Sequence, residues 1–344
     1  MDTPRTAPET PAPGQSTAEQ HAAGGSLAQR LHASLIVVLP TLALIGAIWG
    51  WAMDKVQAWH LMLAAGMAFL TILAITVGFH RLLTHRSFQT GPWLRGLLTV
   101  LACMAAQGPP LYWVSNHRRH HRYVDDAGDP HSPWNDDGRA IAGWSGFWHA
   151  HVGWTLRHKL VNSIHYCPDL LQDPVVRWVG RHYFKWVALG ILLPGLVGVA
   201  IEGTVAGFAA ACFWGGPVRL FFTYHLTNGI NSAAHLWGYQ RYATGDSSRN
   251  NWFLGIFTLG EGWHNNHHAD GSAAVFSRAW YELDIGGACI LLLARCGLAH
   301  KVRRAREPSA GADGNQDAGL KECSGELSSQ SSPESAASPF RELP

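Results

Sequence analysis

VQAWHLMLAAGMAFLTILAITVGFHRLLTH, residues 56–85, decides the fold. Its apolar part, 56–79, carries no Asp, Glu, Lys or Arg, and two histidines, His80 and His85, stand at its end. A second uncharged run precedes it, LHASLIVVLPTLALIGAIWGWAM at 31–53, separated only by the short break at Asp54 and Lys55. A helix over 31–53 reaches about 35 Å, enough to cross the hydrocarbon of a bilayer. A buried helix pair in a soluble core is the bland alternative. Two adjacent uncharged runs of this length favour a transmembrane hairpin instead.

A second hairpin is expected at 183–201 and 203–224, folded about Glu202. Arg219 lies near its far end, where a long side chain is expected to snorkel. Basic residues gather at the other ends: Arg30, Arg81 and Arg86 for the first hairpin, Arg177, Arg181 and Lys185 for the second. The positive-inside bias puts these ends, and with them both termini, on the cytoplasmic side of the cell inner membrane. Residues 93–114 are broken by Gly108, Pro109 and Pro110, and a full crossing there would part the histidines on either side of it. An interfacial or re-entrant helix is expected. Residues 285–298 are too short to cross, contain Arg295, and read as a second interfacial helix.

The fold class is therefore all-α: an integral membrane protein with four transmembrane helices in two hairpins and a cytoplasmic helical domain. The membrane domain as a whole, spans and cytoplasmic part together, occupies 27–300. The Pro-, Ala- and Thr-rich segment 1–26 and the Ser-rich, acidic segment 301–344 read as disordered tails. Sixteen Trp among 344 residues suit a chain that lives at a hydrocarbon–water boundary. A net charge of +2 gives no sign of a nucleic-acid partner. No pair of the six Cys has CxxC spacing, which speaks against a disulfide framework, a zinc knuckle or an iron–sulfur site.

The twenty histidines are unevenly placed. HRLLTH holds His80 and His85. HRRHH holds His117, His120 and His121. NSAAH ends in His235, and EGWHNNHH holds His264, His267 and His268. All four groups fall at the cytoplasmic ends of the expected spans. Positions i, i+3 and i+4 share a helix face, so each HxxHH triplet should point one way. The i, i+5 pair His80 and His85 fits a straight α-helix poorly and suggests a helix end or small turn. A lone His235 reads as a satisfied core residue, and HRRHH alone as a cationic surface turn. Together, nine imidazoles on one side of a membrane ask for a cation, because crowded rings either repel as imidazoliums or leave nitrogens without partners. Nine ligands are too many for one metal and suit two. Asn231, one turn before His235, can reach a metal through water. Asp129 and Glu261 can orient ring N–H groups. HExxH is absent, and imidazole-rich sites accept iron, although spacing leaves zinc and nickel open. His131, His149, His151, His158, His165 and His225 read as supporting or packing residues. Trp113 and Trp148 are candidate walls of a substrate channel.

HRLLTHRSF (80–88), HRRHHRYVDDAGDPH (117–131), NSAAHLWG (231–238) and GEGWHNNHHA (260–269) together resemble the histidine boxes of integral-membrane fatty acid desaturases, most closely the stearoyl-CoA branch. The likeness covers about 31–300. It implies two irons held by His80, His85, His117, His120, His121, His235, His264, His267 and His268, with Asn231 meeting one metal through water. It also implies removal of two hydrogens from an acyl chain, commonly at carbons 9 and 10, with dioxygen as co-substrate. The substrate would be a fatty acyl-CoA, or an acyl chain on another carrier or a phospholipid, in a bent tunnel between the spans and the cytoplasmic domain. Ser115 and Asn116 replace an Arg-Asp pair that meets coenzyme A in animal relatives, and Asp136 and Asp137 replace a basic stretch, so the headgroup is open. No GxGxxG fingerprint, Cys cluster or haem signature is present, so electrons must come from a separate ferredoxin or cytochrome with its reductase. Arg118, Arg119, Arg122 and the HKVRRAR run at 300–306 are candidate docking residues. The rival readings are a lipid, alkane or sterol hydroxylase on the same scaffold, a membrane electron-transfer subunit with haem between facing histidines, and a metal transporter.

Overall fold

The computed structural model describes residues 27–157 and 161–306. The expected tails at 1–26 and 307–344, and His158, lie outside the described residues. The protein is mostly helical. Helix α1 is Leu27–Ala52 and α2 is Ala58–Ala74, which runs on as a π-helix over Ile75–Thr84. Helices α3 (Pro92–Cys103) and α4 (Pro110–Arg122) follow. The third long segment joins α5 (Tyr183–Leu192) to α6 (Pro194–Glu202). The fourth joins α7 (Val205–Phe213), a π turn over Trp214–Val218, and α8 (Arg219–Ser232). Two later helices complete the frame, α9 (His264–Ala269) and α10 (Ile285–Arg295).

Among the described residues, four helical segments are long and apolar enough to cross a bilayer: Arg30–Ala52, Ala58–Thr84, Tyr183–Glu202 and Val205–His235. The chain is a multi-pass membrane protein. Leu35, Val38, Leu42, Ile45 and Ile48 on α1 all point out of the protein, as a surface solvated by lipid tails allows. Gly203 ends α6 at φ 67°, a left-handed conformation that suits glycine, and the chain turns at once into α7. Gly198 lets α6 and α7 approach: a Cβ there would sit 2.0 Å from the carbonyl oxygen of Gly207.

Three expectations change. The stretch 93–114 is two helices, not one. The chain breaks at Met104–Pro109, where Ala106 (φ 59°) and Gly108 (φ 98°) are left-handed. The twelve residues of α3 rise only about 18 Å, too short to cross. Arg219 does not snorkel; it is fully buried. Its Nε donates to the Gly215 carbonyl (2.9 Å) and its Nη2 to the Gly190 carbonyl (3.0 Å). Gly215 lies in the π turn just before it, and Pro194, four residues past Gly190, has no amide to offer that carbonyl, so both oxygens are open to the guanidinium. Residues 301–306, assigned to the C-terminal tail, belong to the body. Ala299–His300 pairs antiparallel with Gln89–Thr90, and Arg303 exchanges backbone bonds with Ser87 (2.8 Å) and Ala274 (2.9 Å).

The largest core cluster lies where the π-helix meets α3, α4 and α10. Val77, Phe79, Leu83, Cys103, Val114 and Ile290 pack there with almost no exposure. This core fixes the helix ends that carry the histidines.

Candidate metal centre

Four stretches converge. The first is the π-helix. In an α-helix, residues five apart do not stack; in the wider π turn, the amide of His85 donates to the His80 carbonyl (3.1 Å). The two rings lie 4.8 Å apart, centroid to centroid. The turn expected at HRLLTH is thus a π turn, and it brings both rings to one face.

Helix α4 supplies His117, His120 and His121, and α9 supplies His264, His267 and His268. Each triplet sits on one face, as the spacing predicts, yet each divides between two ligand sets. One set is His80, His85, His117, His121 and His267; the other is His120, His235, His264 and His268. Within each set, one donor atom from every ring lies within 4.8 Å of all the others. The i, i+4 pairs stay together, with ring centroids 4.7 Å apart for His117 and His121 and 4.3 Å for His264 and His268. The i+3 ring of each triplet leans into the neighbouring set. His235 arrives from the 3₁₀ turn after α8.

The ring nitrogens face inward. Nε2–Nε2 distances are 3.2 Å for His80 and His267, 2.9 Å for His267 and His121, and 3.1 Å for His121 and His117. In the second set they are 3.0 Å for His235 and His264 and 3.4 Å for His120 and His268. Nitrogens at about 2.1 Å from a shared cation, in tetrahedral or octahedral array, are about 3.0–3.4 Å apart. The opposite edges of four rings are held by carboxylates. Nδ1 of His120 meets Asp129 (2.9 Å), Nδ1 of His268 meets Asp246 (2.8 Å), Nδ1 of His235 meets Asp125 (3.3 Å), and Nδ1 of His80 meets Glu261. A ring that donates Nδ1–H to a carboxylate presents a bare lone pair at Nε2. Buried Nε2 of His85 has no hydrogen-bond partner at all. Bare lone pairs aimed at one another, plus an orphaned nitrogen, fit a cation in each set. The four carboxylates carry the negative charge that two divalent cations would neutralise.

Burial and neighbouring rings hold His85, His117, His121, His264 and His267 well below the usual imidazole range, and burial also lowers His268 against the pull of Asp246. These rings are neutral at pH 7, the form in which an imidazole can bind a metal. His120 differs: burial lowers it, but Asp129 and two further carboxylates outweigh burial and raise it. Burial disfavours the Asp129 carboxylate too, yet His120 and His131 bring it down to about 2.

Glu261 is itself anchored. Arg81, fully buried, bonds Asp284 through both terminal nitrogens (2.9 and 3.1 Å) and reaches Glu261 Oε1 (3.4 Å). Its guanidinium lies 3.8 Å over the Phe276 ring, which in turn packs on His267. Asp129 and Glu261 take the orienting roles expected of them. Asp125, Asp246 and Asp284 were not anticipated. Asp125 lies four residues past His121 in a motif already marked, which is a usable signal. Asp246 and Asp284 give none, being joined to the site only through tertiary contacts.

Asn231 stands on the last turn of α8, and its amide donates to Asn228 Oδ1 (3.4 Å) rather than to a histidine. Trp113 stacks on His117 (5.1 Å, 25°). Trp148 is an exposed surface residue. His131 packs on His120 (4.5 Å) and accepts no role in either set. His151 links Ser232 (2.9 Å) to His225 (2.9 Å), His149 is 3.9 Å from Asp136, and His165 contacts Arg122 (2.8 Å). Two clefts lie nearby. An apolar cleft of about 690 Å³ runs between α1, α2 and α8, bounded by Ala47, Ala64, Ala68, Ile72, Val218 and Leu226, and it extends to Leu259 and Ile285 beside the Glu261 and Asp284 network. A small polar cleft is lined by Asn116, Arg119, Asp136, Asp137 and Arg157.

Residues 57–285 match the family model described as fatty acid desaturase. The chain is 39% identical over 281 residues to a hex-5-enoyl-[acyl-carrier protein] acetylenase of Moorena producens, covering 80% of this chain and 86% of the relative. It is 38% identical over 250 residues to an sn-1 stearoyl-lipid 9-desaturase of Anabaena variabilis, covering 70% and 85%. To an sn-2 palmitoyl-lipid 9-desaturase of a Nostoc species it is 35% identical over 236 residues, covering 67% and 76%.

Proposed function

The chain belongs to the fatty acid desaturase family, membrane oxidoreductases with metal-binding histidine boxes, and from that premise we propose that it forms a cis double bond near carbon 9 of a lipid-bound fatty acyl chain. The observation that carries the reading is the pair of ligand sets with their inward Nε2 atoms. His80, His85, His117, His121 and His267 would hold one iron. His120, His235, His264 and His268 would hold the other, with Asn231 bound to it through water. Iron supplies the oxidising power toward an unactivated C–H bond that no side chain possesses.

The protein's own residues position and insulate. Asp125, Asp129, Asp246 and Glu261 keep protons on Nδ1, so that Nε2 is the donor in each ring. Arg81 and Asp284 fix Glu261. The apolar cleft between α1, α2 and α8 offers the acyl tail a slot, and Trp113, stacked on His117, steadies that ring, so that one methylene pair can be held toward the centre. Dioxygen becomes two waters by taking two hydrogens from the acyl chain, two electrons from a separate carrier, and two protons from solvent.

The headgroup reading moves from coenzyme A to a glycerolipid. Ser115 is buried and bonds Ser163 and the Leu111 carbonyl, and Asn116 bonds the Tyr112 carbonyl, so neither is free for a nucleotide. The acyl-lipid names of two relatives favour the same choice, while the carrier-protein name of the third keeps a carrier-bound chain as the second reading. Arg81, Arg86, Arg177, Arg181 and Lys185 support a site facing the cytoplasm, in the inner membrane. The hydroxylase alternative uses the same centre. The electron-transfer subunit does not fit histidines gathered at helix ends.

Expression in a host of known lipid composition, followed by gas chromatography of its fatty acids, tests the proposal. A new monoene that is lost with His120→Ala supports it; an alcohol in place of a double bond makes the protein a hydroxylase.

A further inference from the structure

Resting on the reading that a separate carrier delivers the electrons, we propose that residues 300–306 form its docking face, and that the carrier is a small acidic one-electron redox protein. The segment is a fixed strap. It is pinned by the Ala299–His300 ladder to Gln89–Thr90, by the backbone bonds of Arg303 to Ser87 and Ala274, and by the Arg306 amide to Asp270 Oδ2 (2.9 Å). Val302 packs into the main core. Lys301, Arg303, Arg304 and Arg306 all point outward, and none makes an ion pair among the described residues. The carboxylate in contact with the strap, Asp270, is already occupied by the Arg306 amide and the Ser272 hydroxyl.

The strap lies over the loop Asp270–Ala274, and that loop covers the first ligand set. A Cβ on Gly271 would sit 3.5 Å from His85 Nδ1 and 3.8 Å from His121 Cε1. His85 and His121 are only partly buried. The loop that Arg303 and Arg306 bond through their backbone is thus the loop that packs on two imidazoles of the centre. The other basic candidates are paired or lie at another site. Arg118 is locked to Asp169 and the Leu83, Thr84 and Tyr166 carbonyls, Arg86 pairs with the same Asp169, Arg122 contacts His165, and Arg119 lines the polar cleft beside Asp129 and Asp136. An unpaired positive patch beside a redox centre selects a negatively charged partner and speeds its encounter. The carrier docks twice per turnover and gives one electron each time.

The experiment uses the full chain in detergent, without metal, and a plant-type ferredoxin as probe. Binding by interferometry at low salt should weaken about tenfold or more in Arg303→Glu/Arg304→Glu, and less in Arg303→Gln/Arg304→Gln. It should be unchanged in Arg177→Glu/Arg181→Glu, which reverses another basic cluster. High salt should erase the difference. With the iron-loaded enzyme and a chemical reductant plus mediator, the strap variant should keep wild-type turnover. Wild-type affinity of the reversed variant for ferredoxin overturns the inference. So does a loss confined to binding of phosphatidylglycerol vesicles, which makes the strap a lipid contact. Failure of the wild-type enzyme to form product with the chemical reductant would count against the desaturase reading instead, and leaves the docking measurement standing.

Discussion

His120 and His268 face each other through Nε2 atoms 3.4 Å apart, while the Nδ1 of each meets its own carboxylate, Asp129 and Asp246. With the protons held on the outer edges, the two inner lone pairs are turned toward each other, an arrangement suited to a cation between them. Asp246→Asn removes one of the two outer charges. Iron bound per chain, measured by plasma emission after dialysis against a chelator, should fall below that of the wild type, with affinity reduced about 10–100-fold. The second ligand set should empty first. Unchanged retention would show that the carboxylates are bystanders.

Acid should loosen the metal-free protein. His85, His117, His121, His264 and His267 have folded pKa values well below 6.5. Below pH 6.5 the unfolded chain binds protons that the folded chain refuses. Their contribution to stability is fully present above pH 6.5 and is lost as pH falls toward the folded values. The raised His120 acts in the opposite sense but is one ring against five. Thermal unfolding in detergent should shift downward between pH 7.5 and pH about 5.5, and loading with metal should deepen the dependence because protons then compete with the ion.

Arg219 should resist replacement. Arg219→Leu leaves the Gly190 carbonyl of the third span and the Gly215 carbonyl of the fourth without their donors. The expected loss is about 2–4 kcal/mol, seen as a lower melting temperature and poor recovery from the membrane. Arg219→Lys should restore only part of it, because one ammonium cannot match the guanidinium fork.

The apolar cleft should set chain length. Ala64 and Ala68 border it from α2. Ala68→Phe fills the slot, and the product profile in the expression host should move toward shorter acyl chains. Iron content should stay unchanged, which separates a shape effect from damage to the centre.

The four spans were legible because lipid imposes long uncharged runs, as at 56–79, where no compensating partner is needed. The two HxxHH triplets were legible because helical spacing is local. Their division between two sets was not, since it depends on how α4 and α9 sit against the π-helix. The π turn at Ile75–Thr84 left only a trace, the awkward spacing of His80 and His85. Asp246 and Asp284 reach the site through contacts with residues 22 and 203 positions away, and no local pattern encodes such a partner. Arg219 misled because charge near a span end ordinarily snorkels, and only the geometry of the preceding turn tells otherwise.

His80 and His267 share a ligand set although 187 positions separate them. A ribosome therefore finishes most of the polypeptide, and all four hydrophobic segments enter the bilayer, before either pocket has its full complement of donors. Cofactor uptake is a late step of biogenesis, and a nascent chain halted ahead of residue 264 should insert into the membrane yet carry no iron.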